Sequence, residues 1–335
     1  MPVPTLVAQR LLALIAVLFG LAVIVFLLQV VIPADPARAM VGASAPESVV
    51  IAKRHELGYD KPIPQRFLDF MGRLFQGNLQ ESLRTRNPVG KDLATFAPAT
   101  LELALAAAAI AGLLGVGLGL MLAGAGRIAR MLRLALIAGA SVPTFLTALL
   151  AILVFYSMLH LLPASGRVSD TLVLPTGPTK LLVVDAILNG EPNLLWSVLT
   201  HLIMPAFTLA LLPALAIART LSTSLQKVMR EDYVRTARSK GLAERRVMLR
   251  HALRNASGPA LTMSGLQFGL LLGGIVVIEQ IFAWPGLGLY LDQSIAYSDF
   301  PAITGTTLLL GSVYVFVNFI VDLSQAWADP RIRTV

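Results

Sequence analysis

Residues 11–32 read LLALIAVLFGLAVIVFLLQVVI, twenty-two positions without a charged side chain and with Gln29 as the one amide. A helix needs roughly 20 apolar residues to cross the ~30 Å hydrocarbon core of a bilayer, and this run supplies them. It is longer than the apolar region of a cleaved leader and no A-x-A site follows, so it reads as a retained anchor. Working outward, five more segments satisfy the same length test, at 97–123, 134–162, 196–218, 258–283 and 302–327. They contain Pro143, Pro205 and Pro213, which membrane helices tolerate where neighbours re-satisfy the freed carbonyls. The whole chain agrees. It has 335 residues, 56% of them apolar and only 14% charged, where a soluble domain carries about 25%. Its mean hydropathy is +0.74. The expectation is an all-α polytopic membrane protein with six transmembrane helices. It divides into an N-terminal helix 1–32, an outer segment 33–96, a five-helix core 97–327 and a tail 328–335.

The charges orient it. With the N-terminus placed inside, the inner stretches hold sixteen Lys/Arg against four acids, ten of the cations between Arg219 and Arg254. The outer stretches hold eleven cations against twelve acids. That is the positive-inside pattern, so the formal +8 is a topology signal and no nucleic-acid footprint.

Within 33–96 the turn Pro33-Ala34-Asp35-Pro36 leaves the first span. Residues 46–57 predict a short helix ended by Gly58, and 62–75 a second one with Phe67, Phe70, Met71 and Leu74 on one face, ended by Gly77-Asn78. The pair is read as a small cap on the outer ends of the spans, with an interfacial helix as the alternative. The inner loop 219–257 predicts a helical hairpin. Glu231-Asp232 opens a short helix at its positive dipole end, Gly241 ends it, and a second helix covers about 243–253. Such a hairpin suits seating in another protein's groove. The competing reading is that its cations only fix topology and touch anionic lipid.

Other chemistry is excluded or weak. There is no cysteine, and the four histidines are scattered at 55, 160, 201 and 251, so no thiol chemistry and no metal site is expected. No phosphate-binding loop is present: Gly90-Lys91 is followed by Asp92 with no upstream glycine. Gly115, Gly117 and Gly119 lie inside an apolar span. Gly115/Gly119 and Gly265/Gly269/Gly273 instead follow small-xxx-small spacing for close helix approach. Three acids fall within spans. Glu102 and Asp322 lie near span ends, and Glu279 near an outer end could meet a cationic substrate terminus if it lines a cavity. The outer loops 163–195 and 283–301 are turn-rich and neutral or acidic. Arg167, Asp170, Trp284 and Asp292 are their candidate docking residues for an outer partner.

Glu231-Asp232-Tyr233-Val234-Arg235-Thr236-Ala237-Arg238-Ser239-Lys240-Gly241-Leu242, followed by Arg250-His251-Ala252-Leu253-Arg254, resembles the inner loop of peptide-type ABC importer permeases. Aligned on Gly241, the wider superfamily's E-A-A triplet falls on Arg235-Thr236-Ala237 and its I-x-L-P on His251-Ala252-Leu253-Arg254. The second Ala, the Gly and the Leu match, and the departures are those of the peptide subgroup. Leu57-Gly58-Tyr59-Asp60-Lys61-Pro62, Pro98-Ala99-Thr100-Leu101-Glu102-Leu103, Phe282-Ala283-Trp284-Pro285-Gly286-Leu287-Gly288 and Asp329-Pro330-Arg331 carry the likeness along nearly the whole chain. The chain is similar to the B-type permease of dipeptide/oligopeptide importers, and Leu162-Pro163-Ala164-Ser165-Gly166-Arg167 tilts it toward the dipeptide branch.

The resemblance implies a type I ABC importer permease fold in a bacterial inner membrane. It implies a homologous second permease, two cytoplasmic ATPases and an outer solute-binding protein as partners, besides the bilayer. It implies no catalysis and no cofactor in this chain, with ATP and Mg bound by the ATPases. Glu231, Asp232, Tyr233, Arg235, Thr236, Ala237, Arg238, Lys240, Gly241 and Leu242 would form the ATPase contact. A secondary carrier or channel without ATPases is the alternative. It should show internal repeats and correspondingly broken helices, which the sequence does not display.

Overall fold

The structure, a computed structural model, describes residues 3–31, 36–42, 44–124, 126–172 and 177–328. Among them every regular element is helical apart from one isolated antiparallel bridge between Glu81 and Pro88. The helices are α1 (Val3–Val31), α2 (Pro36–Val41), α3 (Glu47–Leu57), α4 (Ile63–Phe75), α5 (Val89–Ala123), α6 (Arg127–Ala140), α7 (Thr144–Ala151, continued by a π-helical turn Ile152–Met158) and α8 (Leu182–Leu188). They continue with α9 (Pro192–Val228), α10 (Asp232–Ser239), α11 (Glu244–Arg246), α12 (Leu253–Ile281), α13 (Leu287–Ala296) and α14 (Phe300–Ala328). A second π-helical turn, Val247–Ala252, joins α11 to α12.

Five of these helices are long and apolar enough to cross a membrane: Leu11–Val31, Val89–Ala123, Pro192–Val228, Glu244–Ile281 and Phe300–Val321. The expected span 134–162 is not one helix. It breaks at Ser141-Val142-Pro143, and neither α6 nor α7 with its π-turn reaches eighteen residues. Pro143 has no N–H to continue the ladder and forces the residue before it away from helical geometry. Pro205 and Pro213, in contrast, stay inside α9, whose apolar window is 72% buried and so surrounded by neighbours. The turn expected at 33–35, the tail 329–335 and the side chain of Asp322 lie outside the described residues.

The chain forms two compact units. One is built mainly from Leu101–Trp284, with the chain from Val317 onward returning to it; the other is built from Val7–Thr100 and Pro285–Phe316.

In the first unit α9 is the centre. α12, α7, α8 and α6 all pack on it. On α5, Gly115 and Gly119 bring its backbone against α9: a Cβ on Gly115 would stand 2.7 Å from Ile217, and one on Gly119 2.9 Å from Leu221. The small-residue spacing is thus used at that contact. On α12 it is used at Gly265, where Val321 occupies the space, but Gly273 faces nothing within 4 Å and it is Gly274 that approaches Leu209, at 3.2 Å. Arg133 caps the end of α5 by donating to the carbonyls of Leu122 (2.8 Å) and Gly124 (3.0 Å).

In the second unit the amphipathic face of α4 is covered. Phe67, Phe70, Met71 and Leu74 pack on Ala22, Val25 and Phe26 of α1 and on Leu308 of α14. That agrees with the packed cap. Gly58 ends α3 in the left-handed conformation (φ 71°). A buried polar network fixes the turn before α5. Asp92 accepts from Thr85 Oγ1 (2.5 Å), Asn87 Nδ2 (3.0 Å) and the Tyr290 phenol (3.0 Å). Asp299 accepts from Ser82 Oγ (2.5 Å) and from the backbone N–H groups of Arg84 and Ala302 (both 3.2 Å). Burial pushes the Tyr290 phenol well above its ordinary pKa.

Candidate coupling hairpin and docking loops

The hairpin begins where α9 ends. α9 runs ten residues past the expected end of its span, to Val228, before Met229-Arg230-Glu231 turns the chain. α10 follows with Asp232 in its first turn and Arg238 in its last, both on the favourable ends of the dipole. Lys240 caps α10, and Gly241 reverses the chain at φ 75°. The expected second helix does not stop near 253. α11, the π-turn and α12 form one continuous helical path from Glu244 to Ile281. Ala252 and Ala256 are fully buried against α9, on Leu221 and Leu225, and that packing carries the helix through.

One face of α10 is therefore internal. Val234 and Ala237 pack with Val247, Met229 and Leu242. Ala237, aligned with the superfamily's second alanine, is 9% exposed. It packs inside the hairpin, with half-buried Leu242 beside it. The opposite face is in solvent: Glu231, Asp232, Tyr233, Arg235, Thr236, Arg238, Lys240 and Gly241 are all exposed. Arg238 closes the hairpin through a fork onto Glu244 (Nε–Oε2 3.0 Å, Nη2–Oε1 2.5 Å), and this hydrogen bond raises the guanidinium pKa further. Asn255 Nδ2 donates to the Tyr233 hydroxyl at 2.8 Å, tying α10 to α12. Arg235 lies 3.5 Å from Asp232 at an exposed (i, i+3) spacing, which adds little.

The expected docking residues divide. Asp170 is exposed and Asp292, on α13 in the other unit, is half-buried. Trp284 is 0% exposed, so this candidate docking residue is a core side chain of its unit. Arg167 sits over its ring at 5.8 Å and is itself engaged with Glu102. Its Nε and Nη2 reach one carboxylate oxygen at 3.0 and 2.6 Å, and the two side chains are 12% and 6% exposed. Glu102 is thus an ion-pair partner. In the sequence Glu102 stands as an isolated intramembrane acid; its counter-charge, Arg167, comes from the next outer loop. Glu279 is buried completely in α12, and the Trp284 N–H donates to its backbone carbonyl at 2.8 Å. Among the described residues no group of three His, Asp or Glu side chains could hold a metal ion. Neither glycine stretch offers a phosphate cradle. Gly90-Lys91 lies in the first turn of α5 beside the buried Asp92, and Gly115 and Gly119 are packed on α9.

The sequence that builds these elements matches a known protein family. Residues 95–334 match the model described as binding-protein-dependent transport system inner membrane component, and residues 4–97 match that of the N-terminal part of such membrane components. The chain belongs to this family. As a binding-protein-dependent transport component it is a multi-pass permease of the bacterial inner membrane. It is 40% identical over 330 residues to the probable D,D-dipeptide transport system permease protein DdpB of Escherichia coli (strain K12), covering 98% of this chain and 97% of that relative. It is 42% identical over 337 residues to the di/tripeptide transport system permease protein DppB of Pseudomonas aeruginosa (strain UCBPP-PA14), covering 98% of both. With the glutathione transport system permease protein GsiC of Pectobacterium atrosepticum it shares 36% identity over 330 residues, 97% of each chain.

Proposed function

We propose that this permease is the membrane subunit of an ATP-driven importer of di- and oligopeptides or related peptide-like solutes. In this reading it pairs with a homologous second permease to form the pathway, two ATPases bind ATP and Mg on the inner side, and an outer solute-binding protein delivers cargo. Relatives named for dipeptide, di/tripeptide and glutathione transport support the cargo class. The chain itself performs no chemistry.

The observation that carries the mechanism is the two-faced α10. Its polar face is free for a motor subunit, while Val234 and Ala237 lock its other face to the path that becomes α12. A groove that moves α10 therefore moves α9 and α12 with it. In the proposed topology the N-terminus and the hairpin are inside, the broken segment α6–α7 is the third of six spans, and the loops 163–195 and 283–301 face the binding protein. Small, apolar walls suit a pathway that must release what it carries. Buried Glu279 remains a candidate for the substrate path once the second permease is present.

Reconstitution with the three partner types tests the reading. Peptide-loaded binding protein should stimulate ATP hydrolysis, and cysteines introduced at Arg238 or Lys240 should crosslink to an ATPase subunit. Hydrolysis indifferent to the binding protein, or no such adduct, overturns it.

A further inference from the structure

A single carboxylate holds both ends of the loop that follows α7. Glu102 Oε2 takes the Arg167 fork where the loop begins. Its Oε1 accepts the backbone N–H of Val183 at 2.7 Å where the loop ends and α8 starts. Arg167 Nη2 also donates to the Lys180 carbonyl at 3.1 Å, so the two limbs are joined to each other as well as to α5. The outgoing limb has two further tethers: the Gly166 N–H donates to the Phe282 carbonyl at 2.9 Å, and the Ser169 N–H to Ser197 Oγ at 3.0 Å. On the return limb Thr179 donates to buried Asp185 through its hydroxyl (2.7 Å) and its N–H (3.2 Å). The loop base is therefore closed and internally bonded, with Glu102 at its centre, and topology alone demands none of this.

We propose that Glu102 is a positioning residue for productive docking of the solute-binding protein, acting by clipping the base of this loop to the outer end of α5. The inference rests on the reading of loop 163–195 as the outer docking surface. A pre-ordered loop lowers the ordering cost of association, and a base fixed to a long helix passes a partner's contact into that helix instead of absorbing it. Without the carboxylate, Arg167 is left as a largely buried charge without its counter-ion, and both limbs separate from α5.

The test uses the complete reconstituted transporter carrying Glu102→Gln. Trypsin applied to the loop side reads the clip directly, because Arg167 and Lys180 are themselves cleavage sites; cleavage there should accelerate about tenfold, the effect of losing one buried charged partner. The binding-protein concentration for half-maximal ATPase stimulation should rise about tenfold, with basal hydrolysis unchanged. If Glu102→Gln fails to assemble, the double variant E102Q/R167M, free of both charges, provides the stimulation readout unchanged and the cleavage readout at Lys180 alone. The charge-exchanged pair E102R/R167E should recover part of the lost stimulation. Wild-type-like cleavage and half-maximal concentration in the variant overturn the proposal. Absence of any stimulation in the wild-type complex instead overturns the docking reading on which it rests.

Discussion

At Gly241 the conformation, and no neighbour, demands glycine. Its φ is 75°, yet a Cβ there would meet nothing within 4 Å in this chain. The cost of substitution is therefore the left-handed backbone, about 1 kcal/mol for alanine. Gly241→Asn should keep the thermal midpoint of the purified complex close to wild type, Gly241→Ala should lower it slightly, and Gly241→Val should lower it most. On the proposed coupling role, Gly241→Trp should still assemble but lose uptake, because its bulk would enter the space that role reserves for a motor subunit; normal uptake by that variant would contradict the coupling role. Tyr290 allows a second prediction. Its raised pKa keeps the neutral phenol as a donor to Asp92 through alkaline pH, so Tyr290→Phe should leave the phenolate absorbance titration unchanged through the ordinary tyrosine range. A lost ionisation step there would show the phenol to be accessible. The exposed polar face of α10 was legible from residue types alone. The burial of Ala237 and Trp284 was not, since small and aromatic side chains are equally at home in a core, an interface or a groove, and only packing decides between them.

Among the elements, the helix-packing code was the most readable part of the sequence and the helix ends the least. The Gly115/Gly119 spacing named a close contact, and the structure assigns its partners as Ile217 and Leu221. Overpacking such a contact costs about 1–3 kcal/mol. Gly115→Ala should lower the thermal midpoint in detergent, and adding Ile217→Ala should recover most of the loss. Equal, additive losses from the two changes would show that α5 and α9 do not meet at that point. Helix ends were misjudged where tertiary burial overrode local polarity. α9 overran its apolar stretch because Leu221 and Leu225 pack on Ala252 and Ala256, and the same packing erased the expected stop near 253. At Pro143 the error ran the other way: hydropathy is blind to a missing N–H, so a stretch apolar throughout reads as one span although its ladder is cut.

At the scale of the whole molecule, the crossing number and the charge distribution constrain each other. Five unbroken helices qualify by length. If α6–α7 did not cross, the stretches on either side of it, 124–133 and 163–195, would share one face of the membrane. With the N-terminus inside, the hairpin between α9 and α12 would then lie outside. Its ten cations between Arg219 and Arg254 would face the wrong side, against the positive-inside bias that orients short loops. A sixth crossing through the broken segment removes the conflict, and α6 and α7 with the π-turn comfortably exceed the ~30 Å required even at 1.5 Å per residue. Because the chain has no cysteine, single cysteines can test this without background. Placed at the exposed positions Gly126, Asp170 and Lys240, they should react with a membrane-impermeant maleimide as two classes: Gly126 and Lys240 in inside-out vesicles, Asp170 in right-side-out vesicles. Labelling of Gly126 and Asp170 from the same side would show that α6–α7 turns back within the membrane, and the hairpin would have to lie on the face opposite to both.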